Sequence, residues 1–441
     1  MLLMDVSAHF RGKKITLMRI GLLGRGVEDA AYLAECGAEV LVVDDASQEV
    51  MQPSVDALAK YPSIKFKFGP YDLSDFKNCD FVVKGAGAAL GSPEIAEAKK
   101  NGIPVRMSAD LFAEVSGVTC IGVTGTRGKS TVAHMLYAIL QEAGKPVVLG
   151  GNVRGVSTLA LLKEVTPDHI AVLELDSWQL QGWGEALMSP HIAVFTTFYP
   201  DHQNYYKDDP AQYLLDKGNI FLYQSPEDSL VVGRQCAPTL IEAFGEHIVS
   251  KMLVVDETKL PEDWRLRVPG VHNRYDAALA LVAAREAGVA DEVSRKALEA
   301  FTGVPGRLEL VAEKGGVKVY NDTTATTPEA TLAALDALGA GNTILIMGGA
   351  DKGLDMNTLL IRLPGLKRVV LLAGTGTSRV LEFIEGSSVF DSLEKAVVEA
   401  FATAHTGDTI LFSPAFASFG MFKNEYDRGD QFNALVKTHF L

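Results

Sequence analysis

Nine consecutive residues, Thr124 to Val132 (TGTRGKSTV), bring together the groups that phosphate chemistry needs. Glycines at 125 and 128 allow the backbone to turn its N–H groups toward phosphate oxygens. Lys129 reaches the outer phosphates, and the Ser130 or Thr131 hydroxyl can ligate Mg²⁺. The apolar run Thr119 to Val123 before them predicts a strand, and Lys129 to Ala143 after them an amphipathic helix. The strict G-x-x-x-x-G-K-[ST] pattern would place glycine at 123, where this chain has Val123, so the stretch is a P-loop variant. A capped helix after a glycine turn is the plainer alternative. The order of strand, glycines, lysine and hydroxyls favours nucleotide binding.

Further reactive groups follow at strand ends. GLLGRG (Gly21, Gly24, Gly26) precedes Asp44 and Asp45 by roughly the spacing of a dinucleotide fingerprint, although its glycine pattern differs from G-x-G-x-x-G. It reads as a nucleotide-diphosphate turn or as an ordinary strand–helix turn. Glu174 ends an apolar run in AVLELDSWQL, where a P-loop protein commonly holds Mg²⁺, and Asp176 lies close by. Asp201-His202 sits in a loop after another strand, as a catalytic or metal-binding pair or a structural hydrogen bond. Lys217, in a predicted helix, reads on its own as a surface lysine. Asn273 either caps a helix or touches a nucleotide. In NDTTATTPEA, Thr327 is expected to cap a helix beginning at Pro328, so Asp322 and several hydroxyls meet at its N-terminus. The loops MGGADKG and SPAFASFGMFKNEYDRG complete a set of three after strands of one block, which suggests a binding face.

These groups need a scaffold of alternating strands and helices. The chain supplies it nearly throughout, which predicts α/β architecture with mostly parallel sheets. Three blocks emerge. In the first, Ile15 to Leu23 is the expected strand, Val27 to Cys36 a helix and Ala38 to Val43 a strand, with later strands at Phe81 to Lys84 and Pro104 to Met107. The second begins near Ser108 and has strands at Val147 to Leu149, Ile170 to Leu175 and Ile192 to Thr196, ending in helices Asn273 to Ala287 and Asp291 to Phe301. The segment Val304 to Arg307 reads as a linker. The third has strands at Arg307 to Ala312, Val317 to Asn321, Thr343 to Met347, Val369 to Ala373 and Thr409 to Phe412, with a helix at Pro328 to Leu338.

With 441 residues the chain is too long for one ordinary domain. Its 47% hydrophobic and 22% charged residues suit a soluble globular protein. Its longest apolar runs are strand-sized, so no membrane span is expected. The N-terminal residues lack the basic-then-apolar order of a secretory signal. Four separated cysteines (Cys36, Cys79, Cys120, Cys236) read as core residues of a cytoplasmic protein, with neither disulfides nor a zinc site. A formal charge of −14 argues against a nucleic-acid partner.

Taken in order, TGTRGKST, LGGN, LELDSWQL, DH, HN, NDTTAT, GGADKG and SPAFASF-x-x-FKN-x-x-x-RG resemble segments of the Mur ligase family across nearly the whole chain. The resemblance implies three domains: an N-terminal Rossmann-like unit for a UDP-sugar (1-107), a central P-loop ATPase (108-303) and a C-terminal Rossmann-like unit for an amino acid (304-441). It implies ATP-dependent amide formation through an acyl phosphate, with UDP-N-acetylmuramoyl-L-alanine and D-glutamate as substrates and two Mg²⁺ ions. A monomer is expected. The ATP phosphates fall to Gly125, Thr126, Arg127, Gly128, Lys129, Ser130 and Thr131. Adenine, phosphate and ribose contacts fall to Asn273, Arg307 and Asp322. Ser130, Glu174 and His202 resemble metal-site residues, and Lys217 aligns with a lysine carbamylated in the family, so Lys129, Glu174, His202 and Lys217 form the implied catalytic set. Leu23, Gly24, Asp44, Asp45 and Asn152 fall at UDP-substrate positions, and Thr326, Lys352 and Ser418 at amino-acid positions.

The chain departs from the family pattern in four places. Thr324 replaces a lysine, Lys84-Gly85-Ala86-Gly87 replaces an S-P-G turn, Asp276 replaces an asparagine, and Glu425 stands where an aromatic residue is common. Lys84 is a possible source of a diphosphate contact. Competing readings are an L-glutamate-adding or folylpolyglutamate-synthase-like ligase, a non-catalytic nucleotide-binding paralogue, and an oxidoreductase resting on GLLGRG alone.

Overall fold

The computed structural model describes residues 6–21, 24–201, 203–206, 209–384, 386 and 388–440. It is an α/β protein with three sheets in two compact units, Met1–Trp264 with Tyr275–Leu298, and Arg265–Arg274 with Glu299–Leu441.

In the first unit, β1 (Lys14–Met18), α1 (Arg25–Glu35), β2 (Glu39–Asp44), α2 (Gln48–Leu58), β3 (Ile64–Phe68), β4 (Phe81–Lys84), α3 (Pro93–Lys100) and β5 (Val105–Arg106) form a wholly parallel sheet of order β3-β2-β1-β4-β5. The strand expected to reach Leu23 stops at Met18, because Arg19 turns into the left-handed region with φ 61°. Leu22 and Leu23 lie outside the described residues.

After α4 (Ser108–Ser116) come β6 (Thr119–Thr124), α5 (Lys129–Glu142), β7 (Val147–Gly151), β8 (Ile170–Glu174), α6 (Ser177–Glu185), β9 (Ile192–Phe195), α7 (Gln203–Tyr206), α8 (Pro210–Gly218), β10 (Ser229–Gly233), α9 (Ala237–Phe244), β11 (Lys251–Val255), α10 (Val271–Glu286) and α11 (Asp291–Ala300). The second sheet is also wholly parallel, in the order β11-β10-β9-β6-β8-β7. Ile121, Val123, Val172, Leu173 and Val194 on its central strands are fully buried, as parallel strands covered on both faces require. One apolar core runs from Phe10 through Phe195 to Phe244 and joins both sheets. At about 1.5–3 kcal/mol for each fully buried large apolar side chain, this shared core accounts for their packing as one unit. Asp29 of α1 reinforces the join by accepting hydrogen bonds from Ser108 (2.9 Å) and Ser157 (2.5 Å).

The second unit holds β12 (Glu309–Lys314), β13 (Val317–Asn321), α12 (Pro328–Leu338), β14 (Thr343–Gly348), α13 (Asn357–Arg362), β15 (Arg368–Leu372), α14 (Thr375–Val380), β16 (Ser388–Phe390), α15 (Leu393–Thr403), β17 (Thr409–Phe412) and α16 (Glu425–His439). Its sheet order is β12-β13-β17-β14-β15-β16, parallel except for the antiparallel β12–β13 hairpin. The strand expected from Arg307 begins at Glu309, since Val304 and Arg307 close a short bridge and Leu308 has φ 47°. Apolar clusters cover both faces of this sheet. Among the described residues no helix is long and apolar enough to cross a membrane. None of the four cysteines forms a disulfide among the described residues, and Cys36, Cys120 and Cys236 are buried.

Candidate functional site

The C-terminal ends of β6, β7, β8 and β9 meet at one edge of the second sheet, where parallel α/β proteins bind ligands. Gly125 (φ 140°) and Gly128 (φ 86°) provide the turn between β6 and α5. At Gly125 a Cβ would lie 2.0 Å from Thr196 Oγ1, so the close approach admits only glycine. The loop rests on the segment after β9. The Thr126 N–H donates to the Thr197 carbonyl (2.7 Å), and the Arg127 N–H to Thr197 Oγ1 (2.9 Å). Those two amides are therefore engaged within the protein. The donors left for phosphate are those of residues 128–131, which have no intrahelical acceptor at the start of α5.

Lys129 folds back over this loop, its ammonium donating to the carbonyls of Gly125 (3.1 Å) and Thr126 (3.2 Å). Lys217 overturns its reading as a surface lysine. It is 2% exposed, donates to the Gly125 carbonyl (2.9 Å) and Thr124 Oγ1 (3.3 Å), and lies over the Tyr213 ring at 5.0 Å. Burial, then the neighbouring Lys129, holds its pKa well below the usual lysine value, against the pull of Asp176, Asp201 and Asp216. Beside Lys217, the Asp216 carboxylate accepts from Gln181 (2.7 Å), Gln212 (2.8 Å) and Tyr206 (2.9 Å), tying α6, α7 and α8 together.

Glu174 ends β8 in register with Val123 and is 3% exposed, and Ser130 is 7% exposed. Their hydroxyl and carboxylate are hard oxygen donors, the set that suits Mg²⁺. Among the described residues no three His, Cys, Asp or Glu side chains converge on one point, and His202 lies outside the described residues. A Cβ on Gly128 would meet the Asp276 carboxylate at 2.5 Å, so Asp276 packs against the loop.

Part of the set that the resemblance gives to the UDP-substrate lies at a cavity of about 480 Å³. Asp44 and Asp45 line it, Gly24 (φ 86°) caps α1 nearby, and Leu23 lies outside the described residues. Asn152, after β7, accepts from Arg25 Nη1 at 2.8 Å. Arg19 donates to the Gly87 carbonyl (2.7 Å) and pairs with Asp45. Arg19 and Arg25 were missed as site residues. The signal for Arg25 was present, since it lies within GLLGRG, but only tertiary structure brings it to Asn152.

In the second unit the Asp322 carboxylate is 8% exposed and accepts from the Leu308 N–H (3.1 Å) and the Ser413 hydroxyl (2.8 Å), with exposed Arg307 close enough to act on its charge. Asn273 does not cap α10. It lies in the first turn, donating to the Pro269 carbonyl at 2.6 Å. Thr327 caps α12 as expected. Lys352 donates to Thr326 Oγ1 (2.9 Å), and paired Ala350 and Ala417 bring the Ser418 loop alongside. The three positions that the resemblance gives to the amino acid thus share one locality. The substituted Thr324 bonds the Gly306 carbonyl (2.9 Å), and Glu425 opens α16 with its carbonyl accepting from Thr323 (2.8 Å).

Comparison with known proteins agrees with this organisation. The Mur ligase middle domain matches residues 123–265, and the Mur ligase glutamate ligase domain residues 306–416. A protein of Roseiflexus sp. (strain RS-1) named UDP-N-acetylmuramoylalanine--D-glutamate ligase is 35% identical, covering 97% of this chain and 99% of its own. A protein of the same name from Geobacillus kaustophilus (strain HTA426) is 34% identical, covering 95% and 96%. Among solved structures, MurF ligase from Thermotoga maritima in complex with ADP shares the fold at TM-score 0.61 and 18% identity, covering 98% of this chain and 97% of that one. MurC from Thermotoga maritima does so at TM-score 0.60 and 17% identity, covering 97% and 99%. The chain belongs to the Mur ligase family.

Proposed function

We propose that the chain is the D-glutamate-adding ligase of peptidoglycan precursor synthesis, acting in the cytoplasm as a monomer. The names of its full-length relatives support the substrate pair, UDP-N-acetylmuramoyl-L-alanine and D-glutamate. The observation that carries the chemistry is the pair of lysines on one P-loop carbonyl beside buried Glu174. The substrate carboxylate attacks the γ-phosphorus of ATP, releasing ADP and forming an acyl phosphate. The amine of D-glutamate then attacks the acyl carbon. Phosphate leaves, the amine loses a proton and an amide remains. Phosphorylation is needed because a carboxylate is a poor electrophile.

Bringing two anions together needs preorganised positive charge, which Lys129 and the amides at the start of α5 supply. Mg²⁺, as two ions, would neutralise developing phosphate charge. Ser130, Glu174 and His202 would hold it, with Lys217 as a carbamate contributing an anion. Residues 1-107 serve as the UDP-sugar domain, 108-303 as the ATPase and 304-441 as the amino-acid domain. Asn273, Arg307 and Asp322 serve adenine, phosphate and ribose. Thr326, Lys352 and Ser418 hold glutamate, and Leu23, Gly24, Asp44, Asp45 and Asn152 hold the UDP-substrate.

The test is phosphate release with ATP, Mg²⁺ and UDP-N-acetylmuramoyl-L-alanine, supplied in turn with D-Glu, L-Glu, D-Asp and no amino acid. Release requiring both the UDP-substrate and D-Glu is expected. Release with L-Glu alone would keep the mechanism and refute the amino-acid assignment. No release under any condition would refute the ligase reading for these substrates.

A further inference from the structure

Lys84 ends β4 with its side chain 2% exposed, and it lines the 480 Å³ cavity described above. Its ammonium has three donor hydrogens. Among the described residues it makes one hydrogen bond, to the Ala88 carbonyl at 3.2 Å, and no ion pair. A buried cation so poorly satisfied is costly, and proteins seldom keep one without a partner.

Four acids act on Lys84 from a distance: Asp176, Asp216, Asp110 and Glu185. Each has a partner of its own. Asp176 caps α6 through the Gln179 N–H (2.8 Å), Asp216 is held by Gln181, Gln212 and Tyr206, Asp110 pairs with Arg106 (2.5 Å), and Glu185 pairs with Lys99 (2.7 Å). None of them requires Lys84 as its direct counter-ion. Burial outweighs their attraction and lowers the lysine pKa to about 8.

We propose that Lys84 is the anion anchor of this cavity, its ammonium taking a phosphate oxygen of the nucleotide-sugar diphosphate. The inference rests on the UDP-substrate reading and adds to it a residue that determines affinity. The lining carries acids as well as cations, with Asp44 and Asp45 at the end of β2 and Asp176 beyond Lys84. A mixed set suits a ligand that offers hydroxyls as well as negative charge, and disfavours a bare polyanion. β2 and β4 flank β1, so the Asp44 and Lys84 positions stand about 10 Å apart across the sheet edge. That separation fits ribose hydroxyls at one end and the diphosphate at the other. The glycine turn Gly85–Gly87 beside Lys84 keeps the approach open, and Gly85 is obligatory because a Cβ there would lie 2.3 Å from the Arg19 carbonyl.

The test compares wild type, Lys84→Met and Lys84→Arg by titration with UDP, by KM for the UDP-substrate and for ATP, and by melting temperature without ligand. Loss of one charge-assisted hydrogen bond predicts about a tenfold to hundredfold weaker UDP affinity and higher UDP-substrate KM in Lys84→Met. The ATP KM should be unchanged, Lys84→Arg should recover part of the loss, and the unliganded melting temperature should hold or rise because an unsatisfied buried charge is gone. A lower melting temperature with unchanged UDP affinity would make Lys84 a structural counter-charge and overturn the proposal. Equal UDP binding by wild type and Lys84→Met would also overturn it. UDP that fails to bind wild type overturns both this and the substrate reading, whereas UDP binding without ligase activity overturns only the latter.

Discussion

Lys129 and Lys217 donate to the same acceptor, the carbonyl oxygen of Gly125, from 3.1 and 2.9 Å. Two ammonium groups on one carbonyl repel each other, and the deeper one yields. Burial first, and then Lys129, lowers the Lys217 pKa and so favours its neutral amine, the state that adds CO₂ and loses a proton to become a carbamate. Lys217→Ala should be nearly inactive and partly restored by acetate or formate, which return a carboxylate to the vacated space. Turnover in the presence and absence of each anion checks this. Full activity without rescue would remove Lys217 from the reaction.

Lys129→Ala should lower ATP turnover by about a hundredfold to a thousandfold, the range for deleting one preorganised charge from a developing anion. The fold should survive, because the substitution leaves the apolar face of α5 intact. Steady-state phosphate release alongside a melting curve separates the two effects. Near-normal release would mean that the P-loop variant does not serve the γ-phosphate.

Gly125→Ala should destabilise the protein more than Gly144→Ala. Both glycines have positive φ, but a Cβ at 144 meets nothing within 4 Å, while one at 125 meets Thr196 Oγ1 at 2.0 Å and the Thr197 N at 2.8 Å. Gly144→Ala thus isolates the conformational penalty, about 1–2 kcal/mol. Gly125→Ala adds a steric clash with the segment that supports the loop. Equal losses in chemical denaturation would show that the loop yields without resistance.

The P-loop, the strand-end acids and the three-sheet α/β organisation were legible in the sequence because each is local: glycines fix turns, and apolar runs bounded by polar loops mark parallel strands. Lys217 was legible only through resemblance, since nothing within its helix distinguishes a lysine facing solvent from one facing a carbonyl 92 residues away. The Arg19 and Arg25 contacts were invisible for the same reason, their partners Gly87 and Asn152 lying in loops after distant strands. The loop's internal hydrogen bonds were not legible either. The resemblance gives the phosphates to Gly125 through Thr131, whereas Thr197 takes the N–H groups of Thr126 and Arg127.

Lys352→Ala should raise the KM for glutamate and leave that for ATP nearly unchanged. Lys352 is exposed and donates to Thr326 Oγ1, so its charge stands at the locality shared with the Ser418 loop, where a carboxylate would be received. Loss of a charge-assisted contact is worth about tenfold to a hundredfold in KM. An unchanged glutamate KM would refute its role.

Asp322→Asn should flatten a decline in stability with rising pH. Burial pushes the Asp322 carboxyl up to about 7, against the opposing effects of the Ser413 hydroxyl, the Leu308 N–H and Arg307. Its ordinary value is 3.8, so the folded protein holds this proton more tightly than the unfolded chain does. A group of that kind stabilises fully below its unfolded value, and the contribution is lost as pH rises through its folded value. Between pH 5 and 8 the wild type should therefore lose about 1–3 kcal/mol from this carboxyl alone. The asparagine variant has no proton to lose there, so the difference in unfolding free energy between the two proteins should change by that amount across the interval. Parallel curves would place Asp322 ionised throughout and show that Arg307 and the donors outweigh its burial.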